Sequence, residues 1–121
     1  MNNVEALSNF IKGAVSKQKI ARYLGFIGSP KGQVKFLKEL DHSLEKVLTE
    51  NKIKNNITEK EWSESGYLFS SNGVFGESVQ NIKAAYEASQ WDGGWLLIDS
   101  SGKFGILRSE GKMDDELYIR L

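Results

Sequence analysis

Few side chains in this sequence have the chemistry of an active site. The chain has one histidine, His42, and no cysteine, so thiolate metal sites, cysteine nucleophiles and disulfide bonds are excluded by composition. A tetrahedral zinc site draws mainly on Cys and His ligands, and we therefore predict neither a metal site nor a cofactor. His42 lies between Asp41 and Ser43 in a predicted amphipathic helix. We interpret it as a partly exposed surface residue whose role stays open.

Two further motifs have simple structural interpretations. Asp114, Asp115 and Glu116 are adjacent carboxylates. Adjacent side chains in a loop or strand diverge, so we predict a solvated loop rather than a cation site. Gly73 and Gly76 precede a predicted helix, but the Gly-Lys-Ser/Thr ending of a phosphate-binding loop is absent. We interpret this glycine-containing stretch as a turn that leads into a helix.

Charge is distributed unevenly along the chain. Lys and Arg together number 16, as do Asp and Glu, so the net charge is zero. Residues 1–60 contain 11 basic and 6 acidic side chains, whereas residues 61–121 contain 5 and 10. No acidic residue lies between Glu5 and Glu39, and this stretch is a candidate nucleic-acid surface. Its basic residues are Lys12, Lys17, Lys19, Arg22, Lys31, Lys35 and Lys38.

Apolar residues at helical spacing predict three helical segments in the first half of the chain, with a kink or a break between the first two near Gly13 and Ser16. The stripe of the first helix consists of Val4, Leu7, Ile11 and Ala14, and Asn2 with Glu5 resembles a capping box at its start. The second helix is predicted to end at Gly25, a good C-terminal glycine. Ser29 and Pro30 are typical N-cap and N1 residues and begin the third helix, which is predicted to continue for about four turns. Its apolar stripe consists of Val34, Leu37, Leu40, Leu44, Val47 and Leu48.

The second half is predicted to be mainly extended. Thr58 and Glu61 form a capping box that begins a short helix, and a strand follows at residues 67–71. Residues 74–78 are ambiguous between strand and loop, and we favour a short strand, a loop and then a helix capped near Ser78. Strand composition returns at residues 95–98, 103–108 and 117–121.

Helices followed by consecutive strands indicate a single α+β domain over residues 1–121. We predict N-terminal helices packed on one face of a C-terminal three- to four-stranded antiparallel sheet, arranged as a meander. The face that packs against the helix around Leu40 is predicted to carry Trp95, Leu97, Phe104 and Ile106.

The sequence also bears on location. The first 18 residues lack the apolar stretch of a signal peptide, and no apolar run approaches the roughly 20 residues that span a bilayer. We therefore expect a soluble, cytoplasmic protein with no membrane partner. The sequence indicates no particular oligomeric state.

We favour a small non-enzymatic protein-binding module, similar to immunity or adaptor proteins, because no catalytic constellation is recognisable. The acidic second half would attract a basic protein partner, such as a nuclease, to the predicted meander. The predicted partner-binding residues are Trp91, Asp92, Asp99, Asp114, Asp115 and Glu116.

Two alternatives stay open. The first is a nucleic-acid-binding protein that uses the basic residues between positions 12 and 38. The second is a small ligand-binding domain or enzyme, with Glu61 or Glu64 as an acid or base. Its aromatic pocket would be lined by Tyr67, Phe69, Phe75 and Trp91.

Overall fold

The computed structural model describes residues 1–88, 93–110 and 116–121. The helices are α1 (Asn3–Ala14), α2 (Lys17–Ile27), α3 (Pro30–Glu39), α4 (Ser43–Lys46), α5 (Glu59–Trp62) and α6 (Ile82–Glu87). The strands are β1 (Ile53–Lys54), β2 (Gly66–Ser70), β3 (Val74–Val79), β4 (Trp95–Asp99), β5 (Phe104–Arg108) and β6 (Leu117–Arg120). Helices dominate the first half and strands the second, which confirms the predicted α+β class.

The strands form one antiparallel sheet in the order β1-β6-β5-β4-β2-β3. The predicted meander is its centre, made of β4, β5 and β6. The β2–β3 hairpin adds to β4 on one side, and β1 adds to β6 on the other. The sheet has six strands rather than three or four. β1 escapes the sequence pattern because it has only two residues, and β3 was predicted only as a short strand because a glycine interrupts it.

Three helix starts agree with the predicted caps. The Asn2 side chain accepts a hydrogen bond from the Glu5 amide, and the Ser29 hydroxyl accepts one from the Gly32 amide. Thr58 and Glu61 form the full reciprocal capping box at the start of α5. Each cap satisfies amide groups that the first turn of a helix leaves without an intrahelical partner.

Two predicted helix ends are wrong. α2 continues past Gly25 to Ile27, because Ile27 is buried and tertiary packing carries the helix through the glycine. The third helix stops at Glu39, and α4 is a separate short helix. At this break the Asp41 carboxylate accepts a hydrogen bond from the Gly94 amide at 2.7 Å. Leu40 before the break and Leu44 after it are both buried, so the apolar periodicity continues through the break and does not reveal it.

Residues 74–78 belong to a strand rather than to a short strand and a loop. β3 extends to Val79 and contains a bulge at Gly76, whose φ is +75°. The helix that follows is capped by Asn81 rather than near Ser78, and the Asn81 side chain accepts from the Ala84 amide at 2.7 Å. A glycine in the left-handed region provides the extra bulge residue without ending the strand.

Both faces of the sheet are covered. One face packs against α1, α2 and α3, and the other packs against α5 and α6. Leu40 is fully buried on the first face, as predicted. The predicted facing of the strands is wrong, however. The strand residues that face the three long helices are Leu96, Ile98, Leu107 and Ile119, whereas Trp95, Leu97, Phe104 and Ile106 face the other side.

A run such as Trp95–Asp99 is buried on both sides, so alternation cannot indicate which residues face the helices. None of the helices in the described part of the chain is long and apolar enough to cross a membrane.

Candidate docking face

Asp99, one of the predicted acidic docking residues, is the last residue of β4 and stabilises the turn that follows it. Its side chain is buried, with 7% of the residue exposed. The carboxylate accepts hydrogen bonds from the amides of Lys103 and Phe104 at 2.6 and 2.9 Å. It also accepts from the amide and hydroxyl of Ser101 at 3.3 and 2.5 Å. These bonds stabilise the β4–β5 turn, so the carboxylate already accepts hydrogen bonds from donors within the chain.

Glu116 lies in a nearly buried cluster beside β5 and α6. Its carboxylate accepts hydrogen bonds from the Arg108 guanidinium and, at 3.1 Å, from the Tyr86 hydroxyl. Arg108 in turn lies 5.1 Å from the centre of the Trp95 ring. The side chain of Glu116 is only 10% exposed. The prediction of a solvated loop position is therefore wrong for this residue.

The ionisation of this cluster follows from its contacts. Burial opposes the charged form of Glu116, yet the hydrogen bond from Arg108 keeps its pKa below the ordinary value. Burial and the neighbouring Glu116 carboxylate raise the pKa of Tyr86 to about 12. The cluster therefore contains an ion pair and a neutral phenol, which suits a structural role.

The remaining predicted acidic docking residues lie outside the described residues. They are Asp92, Asp114 and Asp115, together with Trp91, which is also a member of the predicted aromatic pocket. Docking of a basic partner at these positions stays a prediction.

The other members of the predicted aromatic pocket lie on the face of the sheet that packs against α1, α2 and α3. Phe69 is fully buried, and Tyr67 is partly buried, with its hydroxyl donating to the Met1 carbonyl at 3.1 Å. Phe75 lies at the outer end of an aromatic cluster. Its ring contacts Phe69 and Phe36 edge to face, with centroid distances of 5.0 and 6.3 Å. Phe69 therefore belongs to the core, whereas Tyr67 and Phe75 pack at its edge.

An apolar groove opens where this cluster reaches the surface. It has a volume of about 200 Å³ and lies between α3 and the β2–β3 hairpin. Val34 is 55% exposed on the helix side, and Phe75 forms part of the opposite wall. The complete lining is Pro30, Gln33, Val34, Leu37, Lys38, Ser71, Gly73 and Phe75. We call this feature the α3 groove.

The rim of the α3 groove is basic. Lys31, Lys35 and Lys38 are exposed on α3, and their spacing of four and three residues places them on one helix face. Val34 shares that face, because it follows Lys31 by three residues and precedes Lys38 by four. The site therefore combines an exposed apolar centre with a row of cations.

No protein-family model, curated protein or solved structure matches this chain.

The remaining sequence candidates are placed at the surface or in structural contacts. His42 is exposed between α3 and α4, with its Nε2 atom 3.4 Å from the Glu110 carboxylate. Glu61 accepts from the Thr58 amide and forms a two-point ion pair with Arg120, at 2.7 and 2.5 Å. Among the described residues, no three His, Asp or Glu side chains converge as a metal site needs.

The candidate basic residues are all exposed, from Lys12 on α1 through Lys17, Lys19 and Arg22 on α2 to the lysines of α3. Sequence reasoning missed the α3 groove because it assigned Val34 to the core stripe. The lysines three residues before and four residues after it were a signal that this position faces water.

Proposed function

We propose that this chain is a non-enzymatic protein-binding module that docks its partner at the α3 groove. The proposal rests on the apolar surface that the exposed Val34 forms together with Leu37 and Phe75. Among the described residues, the exposed large hydrophobic side chains are Met1, Val34 and Leu121. The first and last of these are at the ends of the sequence, whereas Val34 is held in the middle of an ordered helix. An apolar surface at a fixed position, with a polar rim, is typical of a protein interaction site.

The size of the groove supports a protein partner over a small-molecule ligand. Pockets for drug-sized ligands and cofactors typically enclose about 300–1,000 Å³. The α3 groove, at about 200 Å³, suits one or two inserted side chains. Three larger depressions, of about 250, 370 and 400 Å³, have charged side chains of both signs in their lining. Among their described lining residues, the only exposed large hydrophobic side chain is that of Leu121, the last residue of the sequence.

The proposal is tested by site-specific photo-crosslinking in the cells that make the protein. A photoreactive amino acid replaces Val34 in one variant and Lys83 in the control, where Lys83 is exposed on α6 across the sheet. We expect a discrete protein adduct from position 34 and none from position 83. Absence of an adduct at position 34, or equal adducts from both positions, contradicts the proposal.

Nucleic-acid binding is the second candidate function. It is favoured by the exposure of all seven basic residues between positions 12 and 38. Against it stands the net charge of zero, which differs from the basic footprint of most nucleic-acid-binding domains. Docking of a basic partner at the acidic residues outside the described ranges also stays a prediction.

A further inference from the structure

The two helices beside the groove carry almost only positive charge. α2 and α3 together contain six cationic side chains and one carboxylate, Glu39. That carboxylate accepts a hydrogen bond from the Tyr23 hydroxyl at 3.0 Å, and its side chain is 19% exposed. Arg22 approaches it to 3.9 Å. The single acidic group is thus turned inward, which leaves the outer surface of the helix pair positive.

The positive charge and the apolar groove occupy the same helix face. Lys38 lines the groove itself, and Lys31 and Lys35 lie along the outer side of Val34. A binding partner that inserts an apolar side chain into the groove therefore brings its neighbouring residues over this row of lysines. Charge complementarity requires those neighbours to be acidic.

The neighbouring strand edge favours contact through side chains. β3 borders the groove, but its bulge at Gly76 interrupts the regular ladder, and the Gly76 carbonyl accepts from the Asn3 side chain at 3.4 Å. Bulges and covered carbonyls both reduce the capacity of an edge strand to pair with an added strand. A binding partner is therefore held by the groove and the lysines rather than by strand pairing.

We infer that the α3 groove binds an acidic segment of a partner protein, which inserts one apolar side chain beside Val34 and places carboxylates over Lys31, Lys35 and Lys38. This inference rests on the proposed binding function and adds the chemistry of the partner.

Nucleic acid fits the same surface less well. Proteins that bind single strands offer aromatic rings on which bases stack. On α2 and α3, Tyr23 and Phe36 are buried to 2% and 0% exposure, and Phe26 is partly covered by Arg22 at 5.4 Å. An apolar groove also adds nothing to phosphate binding, whereas it gives an acidic protein segment its anchor.

The experiment is a titration of the isotope-labelled full chain, followed by the NMR shifts of its backbone amides. Four probes are compared: an acidic peptide with a central Phe, the same peptide with Gly in place of Phe, a basic peptide with the Phe, and a single-stranded DNA 12-mer. We expect the first probe to shift the amides of Gln33, Val34 and Gly73. Replacing its Phe should weaken binding about ten-fold, as loss of one buried aromatic predicts.

A charge-reversed variant provides the matched comparison. Lys31→Glu, Lys35→Glu and Lys38→Glu together should transfer the preference to the basic peptide. The control variant, with Lys46→Glu, Lys60→Glu and Lys83→Glu, makes the same change of net charge at exposed positions elsewhere and should retain the preference for the acidic peptide. Denaturation curves establish that both variants fold.

Each outcome has a defined meaning. Equal affinity for the acidic and basic peptides, shifts elsewhere on the surface, or no binding at millimolar peptide overturns the inference. Preferred binding of DNA, with no dependence on the Phe, overturns it in favour of nucleic acid. If position 34 crosslinks to a protein while the acidic peptide fails, the proposed function stands and the assigned partner chemistry is wrong. If both fail, both are wrong.

Discussion

Asp99 shows how a single side chain can organise a turn. Its carboxylate accepts from four donors, two of them the amides of Lys103 and Phe104 at the start of β5. Phe104 is 4% exposed, so its amide has little access to compensating water. Losing the acceptor leaves these donors unsatisfied, which typically costs about 1–3 kcal/mol for each buried group.

We therefore expect Asp99→Ala to lower the free energy of unfolding by about 2–4 kcal/mol. Asp99→Asn should cost less, because it keeps one side-chain oxygen as an acceptor. Glu87→Ala serves as the control at an exposed acidic position and should change stability by less than about 0.5 kcal/mol. Chemical denaturation of the three variants measures the difference. Equal midpoints for Asp99→Ala and Glu87→Ala would refute the role of the carboxylate.

Glu61 makes stability depend on pH. The hydrogen bonds from Arg120 lower the pKa of Glu61 from 4.5 to about 2 in the folded chain. Because the folded pKa is the lower one, the ionised group stabilises the fold above about pH 4.5, and this contribution is lost as the pH falls toward 2. Glu61→Gln should therefore be less stable than the wild type at pH 7, with the difference shrinking between pH 4.5 and pH 2.

Arg120→Gln provides the partner variant. It should also reduce the loss of stability over this pH range, because the cation that lowers the pKa is gone. Urea denaturation at several pH values measures both effects. A difference between the wild type and Glu61→Gln that stays constant down to pH 2 would show that the ion pair does not control this titration.

Individual residues also show which contacts can be predicted from the sequence and which cannot. The capping role of Glu61 follows from its position three residues after Thr58, a local relationship that the sequence displays. Its ion pair with Arg120 joins positions 59 residues apart, and nothing in the local pattern indicates it. The same limit explains why Glu116 was expected in a solvated loop, since its partners Arg108 and Tyr86 come from other elements.

At the scale of elements, two glycines within helices differ in their surroundings, so replacing them tests helix propensity at one position and helix packing at the other. Gly25 on α2 is exposed, and a β-carbon added there would meet nothing within 4 Å. Gly32 on α3 faces α2, and its added β-carbon would overlap the backbone carbonyl of Phe26. The close approach of the two helices thus depends on Gly32 and not on Gly25.

We expect Gly25→Ala to raise the free energy of unfolding by about 0.5–1 kcal/mol, because alanine restricts the unfolded chain and suits a helix. Gly32→Ala should lower it, because α3 must shift away from the carbonyl of Phe26. Thermal and urea denaturation of the two variants test the opposite signs. A stabilising Gly32→Ala would contradict the described packing of α2 on α3.

Periodicity predicted the existence of most elements but not all of their ends. The caps at Asn2, Ser29 and Thr58 could be predicted, because side-chain capping depends on residues only three positions apart. The end of α3 could not be predicted, because the hydrogen bond at its break joins Asp41 to the amide of Gly94, which is distant in the sequence. The sequence also could not predict which residues of β4 face the long helices, since both faces of this strand are apolar and buried.

At the scale of the whole molecule, the opposite charges of the two halves cancel. A nucleic-acid-binding role for α1, α2 and α3 must therefore act through a local positive surface. Each neutralised phosphate releases counterions, so affinity should fall with a slope near −0.9 per contact on duplex DNA when log affinity is plotted against log salt. Because the net charge of the chain is zero, we expect only weak binding to duplex DNA at about 50 mM salt. A titration at two salt concentrations measures this, and strongly salt-dependent binding would favour the second candidate function.

The edges of the sheet bear on how the protein behaves when concentrated. A long flat edge strand can template pairing between molecules and the growth of fibrils. In the described sheet, one edge is β3 with its bulge at Gly76, and the other is the two-residue strand β1, which includes Lys54. Neither edge offers an uninterrupted ladder to a second molecule. Aggregation of this protein should therefore require prior unfolding, so its rate at high concentration should follow the population of unfolded chains rather than the concentration of native ones.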